Sequence, residues 1–79
     1  MVTVAFRDAA GRPLVGAVIS IAAAPGEFTD IAMIADDRGE IRITPSGFGD
    51  HEFSVFHDGG AHAVVARIGA DTKTLVLQV

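Results

Sequence analysis

The chain has no cysteine, tryptophan, tyrosine or asparagine, and its one lysine is Lys73. Without cysteine there can be no disulfide staple, thiolate metal site or cysteine nucleophile. Without Tyr, Trp and Asn it lacks the platforms that sugar-binding grooves commonly use, leaving five Phe as large core residues. Basic residues are also scarce, six against ten acidic, for a net charge of −4. Nucleic-acid binding needs clustered Lys and Arg to displace counterions, and no such stripe is present, so no nucleic-acid partner is expected. An acidic surface favours solubility and basic partners. No apolar run approaches the roughly 20 residues that span a bilayer, so no membrane insertion is expected. Met1-Val2-Thr3-Val4-Ala5-Phe6 carries no basic segment or apolar stretch of a secretion signal. If Met1 is the native start, a cytoplasmic protein is expected. The alternative is a module of a longer chain, and the sequence does not choose between them.

What is present is apolar material, 49% of 79 residues. That is enough for one domain, residues 1–79, near the small end of what folds unaided. A chain of this size buries only about 60–65% of its unfolded surface.

The apolar residues alternate, which is the period of a half-buried strand rather than a helix. Val2, Val4 and Phe6 share one face of a first strand ending at Asp8, and Ala9 to Pro13 is a turn. Ala17, Ile19 and Ile21 share a face of a second strand, with Val18 and Ser20 opposite. Ala22 to Asp30 reads as a loop, because Pro25-Gly26 stops a helix before it reaches two turns. A third strand is expected at Ile31 to Ala35, reversed by Asp36-Asp37-Arg38-Gly39 into a fourth at Glu40 to Thr44. In the fourth, Ile41 and Ile43 face the core. Pro45 to Asp50 is a loop, and His51 to His57 a fifth strand with Phe53 and Val55 on one face. Asp58-Gly59-Gly60 is a hairpin signal, since tight primed turns need positive φ. Ala61 to Ile68 returns as a sixth strand, and Thr72 to Val79 makes a seventh with Leu75, Leu77 and Val79 on one face. Seven short strands at this spacing point to an all-β sandwich or Greek-key barrel.

With these turns placed, Phe6-x-Asp8, Gly11-x-Pro13-Leu14-x-Gly16-Ala17-x-Ile19, Ala35-Asp36-Asp37-Arg38-Gly39-Glu40-Ile41 and Gly49-Asp50-His51 follow one another in a familiar order. The chain resembles the carboxypeptidase regulatory-like domains over nearly its first three-quarters. It departs from their pattern at Ala35 (usually Thr), Ile41 (usually aromatic) and His51 (usually Tyr). The resemblance implies a seven-stranded Greek-key β-sandwich of the transthyretin (prealbumin)-like fold. It also implies a non-catalytic accessory module, often appended to enzymes, receptors or secretion-associated proteins. Two relatives of similar fold have chemistry of their own. The transthyretin-like hydrolase of purine breakdown carries a C-terminal Tyr-Arg-Gly-Ser signature, which the ending Thr74 to Val79 lacks. Adhesin modules cross-link a Lys to an Asn or Asp, and here there is no Asn and only Lys73.

Several side chains merit attention as candidate sites. His57 and His62 flank the Asp58 turn. If Gly59-Gly60 is the two-residue loop, the two rings lie directly opposite on one face, and Asp58 could add a carboxylate to a zinc site. The simpler reading is a polar hairpin tip, and no metal or cofactor is assigned. His51 shares a face with Phe53 and Val55. A general base would need a nucleophile beside it, and Ser20, Ser46 and Ser54 form no nucleophile elbow. The preferred reading has His51 packing its ring and hydrogen-bonding a loop carbonyl. Asp36, Asp37 and Glu40 lack the spacing of a calcium loop, and an Asp at a turn ordinarily caps its own backbone. Phe48, between Gly47 and Gly49, would anchor a contact if it faced solvent, but folding back over the core is the preferred reading.

The expected function is therefore a non-catalytic interaction module that binds another protein, a neighbouring domain or a second copy through loop tips or an edge strand. The binding residues would be Phe48, His57, Asp58 and His62. Ala61 to Ile68, apolar on both faces, looks like a covered surface. A ligand- or metal-binding module built on the His57/His62 hairpin is the alternative.

Overall fold

A computed structural model describes residues 1–28 and 31–79. Among these are seven strands and no helix: β1 (Val2–Arg7), β2 (Val18–Ala23), β3 (Met33–Ile34), β4 (Glu40–Ile43), β5 (Gly49–His57), β6 (Gly60–Ile68) and β7 (Thr74–Gln78). They form two sheets, a three-stranded β4-β1-β7 and a four-stranded β3-β2-β5-β6. The protein is an all-β, two-sheet sandwich. Residues 29 and 30, the end of the loop expected from Ala22 to Asp30, lie outside the described residues.

Alternation places the core. Val2, Val4, Phe6, Ile41 and Ile43 point inward from the smaller sheet, and Ile19, Phe53, Val55, Ala66 and Ile68 from the larger. Phe6 and Phe53 meet across the gap edge to face, with ring centroids 5.7 Å apart and planes at 76°. That geometry adds an aromatic contribution to the area buried. β7 runs parallel to β1 from Thr3↔Thr74 to Arg7↔Gln78, so the two ends of the chain stabilise one another. Leu75 and Leu77 of β7, and Val79 just beyond its end, pack against the core, as their shared face predicts.

Two turns use the same device. Asp8 Oδ1 accepts the backbone N–H groups of Ala10 and Arg12, each at 2.9 Å. Asp36 Oδ1 accepts those of Arg38 and Glu40, at 2.9 and 3.0 Å. In each turn a glycine three residues on, Gly11 or Gly39, closes the backbone onto the aspartate carbonyl with positive φ. These carboxylates do the capping expected of turn aspartates.

Several expected bounds need correction. β4 ends at Ile43 rather than Thr44, β6 begins at Gly60 rather than Ala61, and β7 spans Thr74–Gln78 rather than Thr72 to Val79. The third strand is only Met33–Ile34, although Ala35 still exchanges backbone hydrogen bonds with Gly16 and Ala17. β5 begins at Gly49 rather than His51, because Gly49 and Asp50 pair with Ile68 and Arg67. β2 runs on to Ala23 through a register irregularity between Ile21 and Ala23.

Candidate functional site

The β5–β6 hairpin reverses on Asp58-Gly59, not Gly59-Gly60. Both residues take positive φ, 52° and 75°, as a type I′ turn requires, and Asp is among the few side chains that tolerate it. His57 consequently pairs with Gly60, and His62 with Val55. The direct apposition of His57 and His62 that a Gly59-Gly60 loop would give does not form. Because the shift is two residues rather than one, both side chains remain on the same face, as diagonal neighbours. The diagonal is about 7–8 Å between Cα atoms instead of about 5 Å. The His62 ring folds over Gly60, with Nε2 3.6 Å from where a Cβ would sit. His57 Nδ1 instead meets the exposed Asp58 carboxylate at 3.4 Å. Among the described residues, no three His, Asp or Glu side chains converge as a metal site would require.

Phe48 is 60% exposed, so the loop between two glycines presents it to solvent rather than folding it over the core. It sits at the β4–β5 connection, whereas His57, Asp58 and His62 sit at the β5–β6 turn. Chain connectivity places these four on two different loops.

The outward face of the larger sheet carries a feature the sequence reading missed. Ile34 pairs with Val18, Val18 with Phe56, and Phe56 with Ala61, forming one apolar row across all four strands. All four residues are exposed, Ile34 by 73% and Phe56 by 52%. The next row is Ser20, Ser54 and Ala63, all small, and Val65 beyond it is 58% exposed. The available signal was Phe56, a large aromatic at an outward position of a strand whose inward positions were already filled.

Beside this face, β6 is an edge strand. Its outward side chains (Ala61, Ala63, Val65) are uncovered, so the surface read as covered is open in the single chain.

The opposite, inner side of the larger sheet opens into a cleft of about 360 Å³, where the loops after β2 and β4 approach each other. Ile21, Pro25, Met33, Ile43 and Pro45 line it, and so does His51. His51 is 1% exposed and stacks on Phe53 with planes 21° apart. Its Nδ1 lies 3.0 Å from the Gly49 carbonyl oxygen. The ring therefore packs and bonds a carbonyl, as read from sequence, although Gly49 belongs to β5 itself. Ser46 also lines the cleft, but its hydroxyl donates to the Glu27 carbonyl. Among the described residues, no Ser–His hydrogen bond is formed.

Asp36 does not stand ready for calcium. Its Oδ1 is committed to two backbone N–H groups, and its Oδ2 lies 3.6 Å from Arg42. Those donors, the Glu40 N–H first and the Arg38 N–H next, hold its carboxyl below the ordinary carboxylate value. For Asp8 the Arg12 N–H dominates, and the carboxyl is again lowered.

No helix among the described residues is long and apolar enough to cross a membrane. Compared with known proteins, the sequence matches no protein-family model, and no curated protein shows significant similarity to it.

Proposed function

We propose that this domain is a non-catalytic interaction module that takes up an extended segment of another protein along the free edge of β6. The observation that carries this reading is the contrast between β6 and the other three edges. β3 is two residues long and β4 is four, with Glu40 and Arg42 on it. β7 is five, and the Gln78 side chain ties it back to the Asp8 and Ala9 carbonyls at 3.4 and 3.1 Å. β6 runs for nine residues with Arg67 as its only full charge, no proline and no lysine. Proteins ordinarily blunt such an edge with short length, charge, proline or a bulge.

In an antiparallel ladder every second residue of an edge strand turns its N–H and C=O outward, which is what strand addition uses. The exposed row ending at Ala61 extends the apolar surface beside that edge. A segment running antiparallel to β6 would meet Arg67 at its own N-terminal end and Asp58 at its C-terminal end. The preferred segment is therefore apolar, with an acidic residue first and a basic residue last. The Greek-key, transthyretin-like arrangement implied by the resemblance belongs to the same reading, since such domains are accessory modules.

The test compares three baits: wild type, Val65→Lys, and the combined Phe48→Ser, His57→Ala, His62→Ala variant. The reading predicts that a partner captured by wild type is kept by the loop variant and lost by Val65→Lys, with both variants folded. Loss by the loop variant alone would move the contact to the loop tips. Capture by none would defeat the proposal.

A further inference from the structure

We infer that the cleft lined by His51 is a binding site for a small, neutral, largely apolar molecule bearing one hydrogen-bond donor, of which a phenol is the simplest kind. This goes beyond the proposed protein contact and lies on the other side of the same sheet.

His51 carries the argument. A carbonyl oxygen can only accept, so the His51 nitrogen facing Gly49 O must hold the proton. In the neutral ring Nε2 is then an acceptor, and no protein donor reaches it among the described hydrogen bonds. No sealed side-chain nitrogen or oxygen lacks a partner among the described residues. Nε2 is therefore not sealed, although the residue is 1% exposed, and the opening available to it is the cleft that the ring lines. A lone pair opening onto a mostly apolar cleft is left to water, and the hydroxyl of a ligand seated against the apolar walls would take that water's place.

The rest of the site sets the class of ligand. A volume of about 360 Å³ lies within the range of small-molecule pockets, about 300–1,000 Å³. Ile21, Met33, Ile43 and two prolines supply apolar walls. Among the described lining residues Arg42 is the one fixed cation, and it faces Asp36 and Glu40 at 3.6 and 3.8 Å, so its charge is already countered, while Glu27 adds a carboxylate that disfavours an anion. A neutral ligand fits these walls better than an anionic one, with its hydroxyl donating to Nε2 and its apolar body against Met33 and Ile43.

Two probes that share the naphthalene body, and differ in whether the oxygen carries a proton or a methyl group, separate the donor from the apolar body: 2-naphthol and 2-methoxynaphthalene. Each is titrated into the intact protein while NMR follows the methyl groups of Ile21, Met33 and Ile43 and the His51 Nε2 resonance. The expected result is saturable methyl shifts with 2-naphthol, movement of the Nε2 signal, and about tenfold weaker binding of 2-methoxynaphthalene, about 1.4 kcal/mol. In His51→Phe, which keeps a ring against Phe53, the two probes should bind alike. Equal affinity of both probes for wild type, absence of saturable shifts, or a preference surviving in a folded His51→Phe would overturn the inference. The wild-type Nε2 signal decides the matter even if that variant fails to fold.

Discussion

Asp8 and Asp36 show how far a single exposed side chain can organise a turn. Each carboxylate accepts two backbone N–H groups, and each has its pKa lowered by those donors. In the unfolded chain both carboxyls take up a proton at higher pH than in the folded one. Their stabilisation is therefore fully present above the unfolded value, near pH 4, and is lost as pH falls through the lower folded values. Thermal melts from about pH 6 down to about pH 2 should show stability declining through this window. Asp8→Asn, Asp36→Asn should flatten that decline, because an amide oxygen still accepts the N–H bonds but does not titrate.

The glycines of the same two turns differ in a way that only three dimensions reveal. A Cβ on Gly39 would lie 2.6 Å from the Phe6 carbonyl oxygen and 2.9 Å from the Leu14 nitrogen, both backbone atoms that cannot swing aside. A Cβ on Gly11 would meet nothing within 4 Å. Gly11→Ala should therefore cost only the left-handed backbone penalty, about 1 kcal/mol. Gly39→Ala should cost about 3 kcal/mol, since the strain of moving β1 or Leu14 is added. Denaturant unfolding of the two variants measures the difference. From sequence the turns are equivalent, both Asp-x-x-Gly. What separates them is that Gly39 lies against β1 and Gly11 does not.

At the level of elements, the strands were legible and their pairing was not. Val2, Val4 and Phe6, or Phe53 and Val55, announce a buried face by alternation alone, and the structure places them there. Asp58-Gly59-Gly60 allows two frames for a two-residue loop, and hydrophobic pattern cannot choose between frames two residues apart, because both keep the same faces inward. The choice falls to the turn, where Asp58 accepts φ of 52°. Asn suits that position better than Asp, being favoured in left-handed conformation before Gly. Asp58→Asn should keep the His57↔Gly60 register and raise the melting temperature slightly. Amide exchange and cross-strand NMR contacts between Val55 and His62 would report a register change if one occurred.

The candidate site was less legible than the fold. Phe48, His57, Asp58 and His62 stand out in the sequence by residue type, and each is accessible to some degree, but they occupy two loops. The row Ile34, Val18, Phe56 and Ala61 comes from four strands whose lateral order no local pattern encodes. Nor does sequence state that β6 ends a sheet, since its alternation would suit a central strand as well. The cleft is hidden for a similar reason. Ile21, Met33, Ile43 and His51 lie on four strands of two different sheets, and only the folded chain brings them to one cleft.

For the whole molecule, the proposed role rests on how unevenly the sheet edges are protected. Three edges are short, charged or tied down, and the fourth is long, apolar and continuous with an exposed apolar row. A domain this small has a total stability of only about 4–12 kcal/mol, so an open edge also exposes it to unwanted pairing. A partner on β6 answers both observations. The most direct measurement is backbone amide exchange along β6, in the free protein and with a captured partner bound. Strand addition at β6 predicts that alternate amides from Ala61 to Arg67 exchange quickly in the free protein and become protected in the complex. Unchanged β6 amides, with protection appearing instead around Phe48 or the Asp58 turn, would contradict it.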